Sequence, residues 1–214
     1  KMSTTRVQLI DKNTTVGTAA AEDTKIVFDG NAQDFHIGID DSTDSLTMGL
    51  GTALGTTTHV RFDPVGAVTM PLQPCFHART NGNQSDFSTG STTLQYNTER
   101  FDNNADFDTS NYTFTAPVQG RYLITANLEL SNIDNANDYM RMVMVTSNQT
   151  YYQGIWAPDK TFASDGGYFS MHMAQIVDMD ASDTCYIQIQ INAGSAQTDL
   201  VGTIPNTFTG CLLA

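Results

Sequence analysis

The first part of the chain reads as a series of short strands. Apolar residues alternate with polar ones at Ile26 and Phe28, at Phe35, Ile37 and Ile39, and at Leu46, Met48 and Leu50. The same alternation returns at Val60 and Phe62 and at Val68, Met70 and Leu72. A period of two puts each set on one face of a strand, and no helical period competes with it. Between the runs stand Asp29-Gly30-Asn31, Asp40-Asp41-Ser42, Gly49 to Gly55 and Asp63-Pro64-Val65-Gly66, all turn-forming sequences. One narrow apolar stripe per strand buries little in so short a segment. Three chains around a common axis are therefore expected to bury the stripes mutually, with a monomeric antiparallel sandwich as the alternative.

The rest of the chain keeps the two-residue period and adds aromatic side chains. Tyr122, Ile124, Ala126, Leu128 and Leu130 alternate with Leu123, Thr125, Asn127 and Glu129. Phe169, Met171 and Met173 alternate with Ser170, His172 and Ala174, and Ile187, Ile189 and Ile191 with Gln188, Gln190 and Asn192. Many strands joined by Gly-, Asn- and Asp-rich turns predict an all-β sandwich or jelly roll. Eight of the 11 Phe, all 8 Tyr and the single Trp lie beyond Pro71-Leu72-Gln73-Pro74. Two parts follow, a β-rich shaft over 1–74 and a head over 75–214. The polar residues Asn127, Gln188, Gln190 and Asn192 face either solvent or a subunit boundary.

Composition narrows the function. A chain of 214 residues with 40% hydrophobic content can bury a core. Its formal charge of −13, with only 10 scattered basic residues, argues against nucleic acid as a partner. Such acidity suits a soluble particle surface better than docking on an anionic membrane. No apolar run approaches the ~20 residues needed to span a bilayer, and no signal-peptide core follows Lys1-Met2-Ser3-Thr4-Thr5. Lys1 in place of an initiating Met suggests a fragment or a processed chain. The sequons at Asn13, Asn83, Asn111 and Asn148 carry little weight without a secretion signal. Cys75, Cys185 and Cys211 form an odd set without metal-type spacing, so free thiols are expected rather than a disulfide framework. Cys185 shares the parity of Ile187, Ile189 and Ile191 and is expected to face inward. Assembly in a reducing cytosol fits that picture.

A comb of residues stands out from Tyr96 to Leu123: Tyr96, Asp102, Phe107, Phe114, Gly120 and Tyr122, at spacings of six, five, seven, six and two. It is echoed by Phe208-Thr209-Gly210-Cys211-Leu212-Leu213 at the C-terminus. Together these resemble the complement-component-1q/tumour-necrosis-factor superfamily, with Tyr96 and Ile124 standing where that family usually has Phe. The resemblance implies a ten-stranded-type jelly-roll head and a homotrimer. The comb's aromatics are expected in the core and its glycine in a turn. Residues 22–74, notably Asp23 to Gly30 and Phe35 to Gly38, resemble β-rich repeats of bacteriophage tail-fibre proteins.

Candidate chemistry is sparse. His36, His59, His77 and His172 form no zinc pattern, and no nucleophile elbow or phosphate-cradling loop is present. Asp40 to Asp44 offers alternating oxygens but lacks the glycine and glutamate of a calcium loop, and reads as a turn. Some heads of the resembled superfamily hold calcium near the trimer axis through acids before a central strand, and Asp134 and Asp138 occupy that place; exposed turn acids explain them equally. No other cofactor is implied. Tyr151, Tyr152, Trp156 and Asp159 put aromatics beside polar groups, as surface recognition of a sugar or protein requires, while Trp156 could instead cap the core.

The expected function is a virion fibre or tail-fibre protein, assembled in the host cytoplasm. Its trimeric head would bind a host cell-surface glycan or protein, and its N-terminus would contact other virion proteins. No enzymatic activity, nucleic-acid binding or membrane insertion is expected. One alternative is a non-viral trimeric adhesin or lectin-like binder. Another is a glycan-cleaving enzyme with paired carboxylates at a subunit groove.

Overall fold

The computed structural model describes residues 15–202 and 206–214. Residues 1–14, which hold Asn13 and the start of the segment expected to contact virion proteins, lie outside the described residues. The chain divides between Leu72 and Gln73 into two compact units.

In the first unit the predicted runs form one antiparallel sheet in chain order: β1 (Thr24–Phe28), β2 (Phe35–Asp40), β3 (Ser45–Leu50), β4 (Thr58–Phe62) and β5 (Val68–Thr69). The register lines up the apolar stripes. Phe28, Phe35 and Leu50 form one row, Ile26, Ile37, Met48 and Val60 a second, and Ile39, Leu46, Phe62 and Val68 a third. These rows share one face, and among the described residues it is the more exposed one. The opposite face carries the buried His36, Gly38, Asp40, Ser45, Thr47 and Gly49. It is covered by the loop 51–57, whose Leu54 is buried. His36 Nδ1 lies 2.9 Å from the Gly51 carbonyl, and the Thr57 hydroxyl donates to the Leu50 carbonyl at 2.6 Å. A Cβ on Gly49 would sit 2.1 Å from the Thr57 carbonyl oxygen, so only glycine lets the loop lie this close. Asp40 accepts from the Ser42 amide and hydroxyl, which confirms the 40–44 segment as a turn.

The second unit is a sandwich. Its strands are β6 (Cys75–Arg79), β7 (Gln84–Phe87), β8 (Gly90–Thr93), β9 (Thr98–Asp102), β10 (Phe107–Asp108), β11 (Thr113–Thr115) and β12 (Gly120–Ile133). They continue with β13 (Asn137–Thr146), β14 (Thr150–Tyr152), β15 (Gly166–Met179), β16 (Thr184–Ala193), β17 (Thr198–Leu200) and β18 (Thr207–Leu212), with a single helical turn, α1 (Pro158–Thr161), between β14 and β15. One sheet runs β10-β11-β16-β13-β14, with β8 also on β16; the other runs β7-β17-β12-β18-β6-β9, with β15 on β12. The chain changes sheet after β7, β8, β9, β11, β12, β14, β15 and β16, and the inward residues of both sheets form one apolar cluster. This is a jelly-roll-like β-sandwich. It has thirteen strands among the described residues where ten were expected, the surplus being short edge pieces.

The comb's aromatics are core, as expected. Tyr96, Phe107, Phe114, Tyr122 and Phe208 are all buried, and they gather around Phe76, which lies outside the comb. The Phe76 ring stacks on Phe114 at 4.7 Å and Phe107 at 5.0 Å, and meets Phe208 edge-on at 5.0 Å. Buried tyrosines need a partner for the hydroxyl: Tyr122 donates to the Val118 carbonyl at 2.7 Å and Tyr96 to Asn127 at 3.2 Å. Asp102 is a turn closer, its carboxylate accepting from the Phe107 amide at 2.7 Å.

Two expectations need correction. Gly120 does not form a turn: it opens β12, and a Cβ there would lie 2.5 Å from Leu212 Cδ1, so the residue serves close packing of the C-terminal strand. The cysteines are not all free. Cys75 and Cys211 are directly opposed on β6 and β18 and form a disulfide. The odd count hid one pair plus one thiol, and free thiols no longer support a reducing cytosol. Cys185 is the free thiol, buried on the inward face of β16 as its parity predicted.

Candidate binding surface

The pleat of β13 and β16 sends Met140, Met142, Met144, Ile187, Ile189 and Ile191 into the core. It therefore sends Tyr139, Arg141, Gln188, Gln190 and Asn192 to the other face of the same sheet. Register sets them side by side. Arg141 pairs with Gln190, Tyr139 with Asn192, and Val143 with both Gln188 and Tyr152 of β14. The Arg141 guanidinium lies 4.0 Å from the Tyr152 ring centre and 5.6 Å from that of Tyr139, and its Nε donates to Gln190 Oε1 at 2.6 Å. Gln188 Nε2 donates to Thr93 on β8 at 3.4 Å. Cation–π stacking and the amide bond fix the guanidinium plane over the sheet. The result is a shallow face of aromatic planes bordered by amides and one cation, built on strands rather than on loops.

Of the four residues singled out for recognition, only Tyr152 belongs to this face, and it is 54% exposed. Tyr151, its neighbour in the strand, packs against the core cluster. Trp156 also packs there: its ring stacks on Phe169 at 3.6 Å, meets Phe162 edge-on, and donates through Nε1 to the Thr161 hydroxyl at 3.0 Å. Its backbone pairs with Met140 on both sides. Asp159 bonds its neighbour Lys160. Tyr139, Arg141 and Gln190 were missed as a group because their meeting depends on strand pairing; the visible signal was a cation two residues after a tyrosine within a strand.

The two candidate metal ligands have different surroundings. Asp134 is buried in the β12–β13 turn, and its carboxylate accepts from the Ser195 amide at 2.6 Å, the Ser195 hydroxyl at 2.8 Å and the Ala136 amide at 2.8 Å. Those bonds, the Ser195 amide first, hold its carboxyl below the usual range. Asp138 is exposed and lies in the field of the Lys160 ammonium. Among the described residues, no group of three His, Cys, Asp or Glu could hold a metal ion.

The outward face of the other sheet has a different character. One row runs Ile176, Leu123, Cys211, Cys75, and the next Ala174, Thr125, Thr209, His77, Phe101. Leu123, Ile176 and Phe101 are exposed there. Thr125 and Thr209 share a hydrogen bond of 2.7 Å in the second row. Burial, and then the charge of Arg100, lower the His77 pKa, which favours neutral imidazole beside the Phe101 ring.

No protein-family model and no curated protein matches this chain. Among solved structures, the globular domain of zebrafish complement 1qA protein matches with 15% identity and a TM-score of 0.47, over 66% of this chain and 98% of that one. Murine APRIL at pH 5.0 matches with 13% identity and a TM-score of 0.45, over 66% of this chain and 99% of that one. The jelly-roll assignment stands on the strand order given above. No helix among the described residues is long and apolar enough to cross a membrane.

Proposed function

We propose that the protein is a non-enzymatic, trimeric adhesin or lectin-like binder whose second unit takes a glycan on the outward face of β8, β13, β14 and β16. The observation that carries this reading is the Arg141 guanidinium held between Tyr152 and Tyr139 and bonded to Gln190. Sugar rings present C–H faces to aromatic planes and hydroxyl pairs to planar amide and guanidinium groups, and this face supplies both. A shallow site of this kind binds weakly, and three copies on one particle would raise the avidity. The exposed Leu123, Ile176 and Phe101 on the other sheet support contact between copies through that face. The virion fibre is the narrower form of the same proposal, and a gene neighbourhood of capsid and tail proteins would carry it.

The test is binding of the full chain to an array of immobilised glycans, followed by calorimetry on the best hit. Tyr152→Ala and Arg141→Ala should each weaken binding about tenfold or more, the loss of one stacking or bidentate contact. Trp156→Phe should leave affinity within about twofold. Retention of full affinity by both Tyr152→Ala and Arg141→Ala would refute the site.

A further inference from the structure

Among its described residues the first unit is a single sheet whose apolar side is largely exposed, with Val16 at its edge. On the row Ile26-Ile37-Met48-Val60, Ile26 is 49% exposed and Met48 42%; on the flanking rows Phe28 is 60% exposed and Phe62 42%. Among the described residues of the unit, the covering loop lies over the opposite face, where Gly49 and short polar side chains admit it. The three rows carry no charged side chain, in a chain whose formal charge is −13.

We propose that this face is a self-association surface, occupied by the same face of other copies of this chain. The proposal deepens the trimer reading above by naming its surface, and it does not depend on glycan binding. Two features select a copy over a foreign partner. Two chains this acidic repel wherever acids face each other, so close approach is favoured where none stand, and the three rows are such a place. Area gives the second. Five strands about 4.8 Å apart, rising about 3.4 Å per residue over five residues, present roughly 20 Å by 17 Å of sheet, or about 350 Å². A stable interface buries about 800 Å² per partner, so a foreign protein seated only here would hold poorly. Three copies that pack this face about one axis bury about 1,000 Å² among them, which a single foreign partner seated here does not.

The test is sedimentation equilibrium of the full chain at micromolar concentration, alone and with Phe28→Lys/Phe62→Lys; both positions are already exposed in the single sheet, so the change costs the isolated chain little. Val27→Lys, also exposed but on the opposite face, is the control. The wild type should sediment at about three times 23.3 kDa. The double variant should associate at least about 100-fold more weakly, and Val27→Lys should match the wild type. Met48, left in place, provides a second readout through peroxide oxidation followed by peptide mass spectrometry. It should oxidise about tenfold slower in the wild type than in the double variant. A monomeric wild type would overturn both this surface and the trimer. A trimeric wild type with undiminished association of the double variant and unprotected Met48 would overturn the surface and leave the trimer standing. Equal weakening by Val27→Lys would also overturn the assignment of the face.

Discussion

Phe76→Ala should be among the most damaging single changes in the second unit. The residue has no exposed surface and touches three buried rings, two stacked and one edge-on, at 4.7 to 5.0 Å. Truncating a buried phenylalanine costs about 3–5 kcal/mol through lost transfer energy and the cavity left behind. Each favourable aromatic pair adds about 0.5–1.5 kcal/mol beyond area. These contributions overlap, and the rings on both sides hinder collapse of the cavity, so the upper end, about 5 kcal/mol, is expected. Phe76→Leu refills much of the volume but removes all three ring contacts, which gives about 1.5–3 kcal/mol. The assay is urea unfolding followed by fluorescence. Trp156 is the single tryptophan and stacks on Phe169 of β15, so the signal reports the second unit alone. All variants are compared at one protein concentration, because self-association adds to apparent stability. A cost below about 2 kcal/mol for Phe76→Ala, or equal costs for the Ala and Leu variants, would refute the view that this ring organises the core.

Gly210→Ala should cost more than a strand substitution normally does, since its Cβ would lie 2.5 Å from the Phe76 ring and 2.6 Å from Ile124 Cδ1; the same fluorescence assay should show a loss of about 2 kcal/mol or more. Alkylation of the native, unreduced protein followed by peptide mass spectrometry should find Cys75 linked to Cys211. Cys185 should stay unmodified until denaturant is added, because burial raises its thiol pKa and blocks reagent access. The folded pKa of Asp134 is depressed, so its contribution to stability is complete above the ordinary carboxylate value of about 3.9 and is lost as pH falls through the folded value. The stability gap between wild type and Asp134→Asn should accordingly be widest at pH 5 and above and close in stronger acid, measured by urea unfolding at each pH.

How much of this was readable in advance depended on whether the information was local. Alternation is local, and it located β1 to β5 and the long strands β12, β15 and β16. The inward side of β16, including Cys185, followed from parity alone. Pairing is not local. Cys75 and Cys211 lie 136 positions apart, and only the docking of β18 on β6 sets them opposite each other. Arg141 needed the register of β13 against both β14 and β16 before it met Tyr152 and Gln190. Trp156 shows the limit of residue type as a guide. An aromatic beside polar groups is as suited to capping a core as to gripping a ligand, and the partner ring Phe169 comes from a strand thirteen positions away.

The first unit shows a further separation, between which residues share a face and which face is covered. Periodicity fixed the first, because a residue and its second neighbour always point the same way. The second was decided by Gly49 and the loop 51–57. Residues with little or no side chain let backbone approach the sheet closely, and the loop took that side because the bulky rows offer no such fit. The polar side was thereby buried through hydrogen bonds such as Arg61 Nε to Ser45 Oγ at 2.9 Å, and the apolar side was left for something with a matching surface. Among the described residues the short-range interactions lie on the polar face, and the proposed association would supply the hydrophobic burial. The proposed self-association would tie the stability of the N-terminal sheet to assembly, so conditions that dissociate the copies should also loosen β2 and β3, visible as faster amide exchange there than in the disulfide-linked β6 and β18.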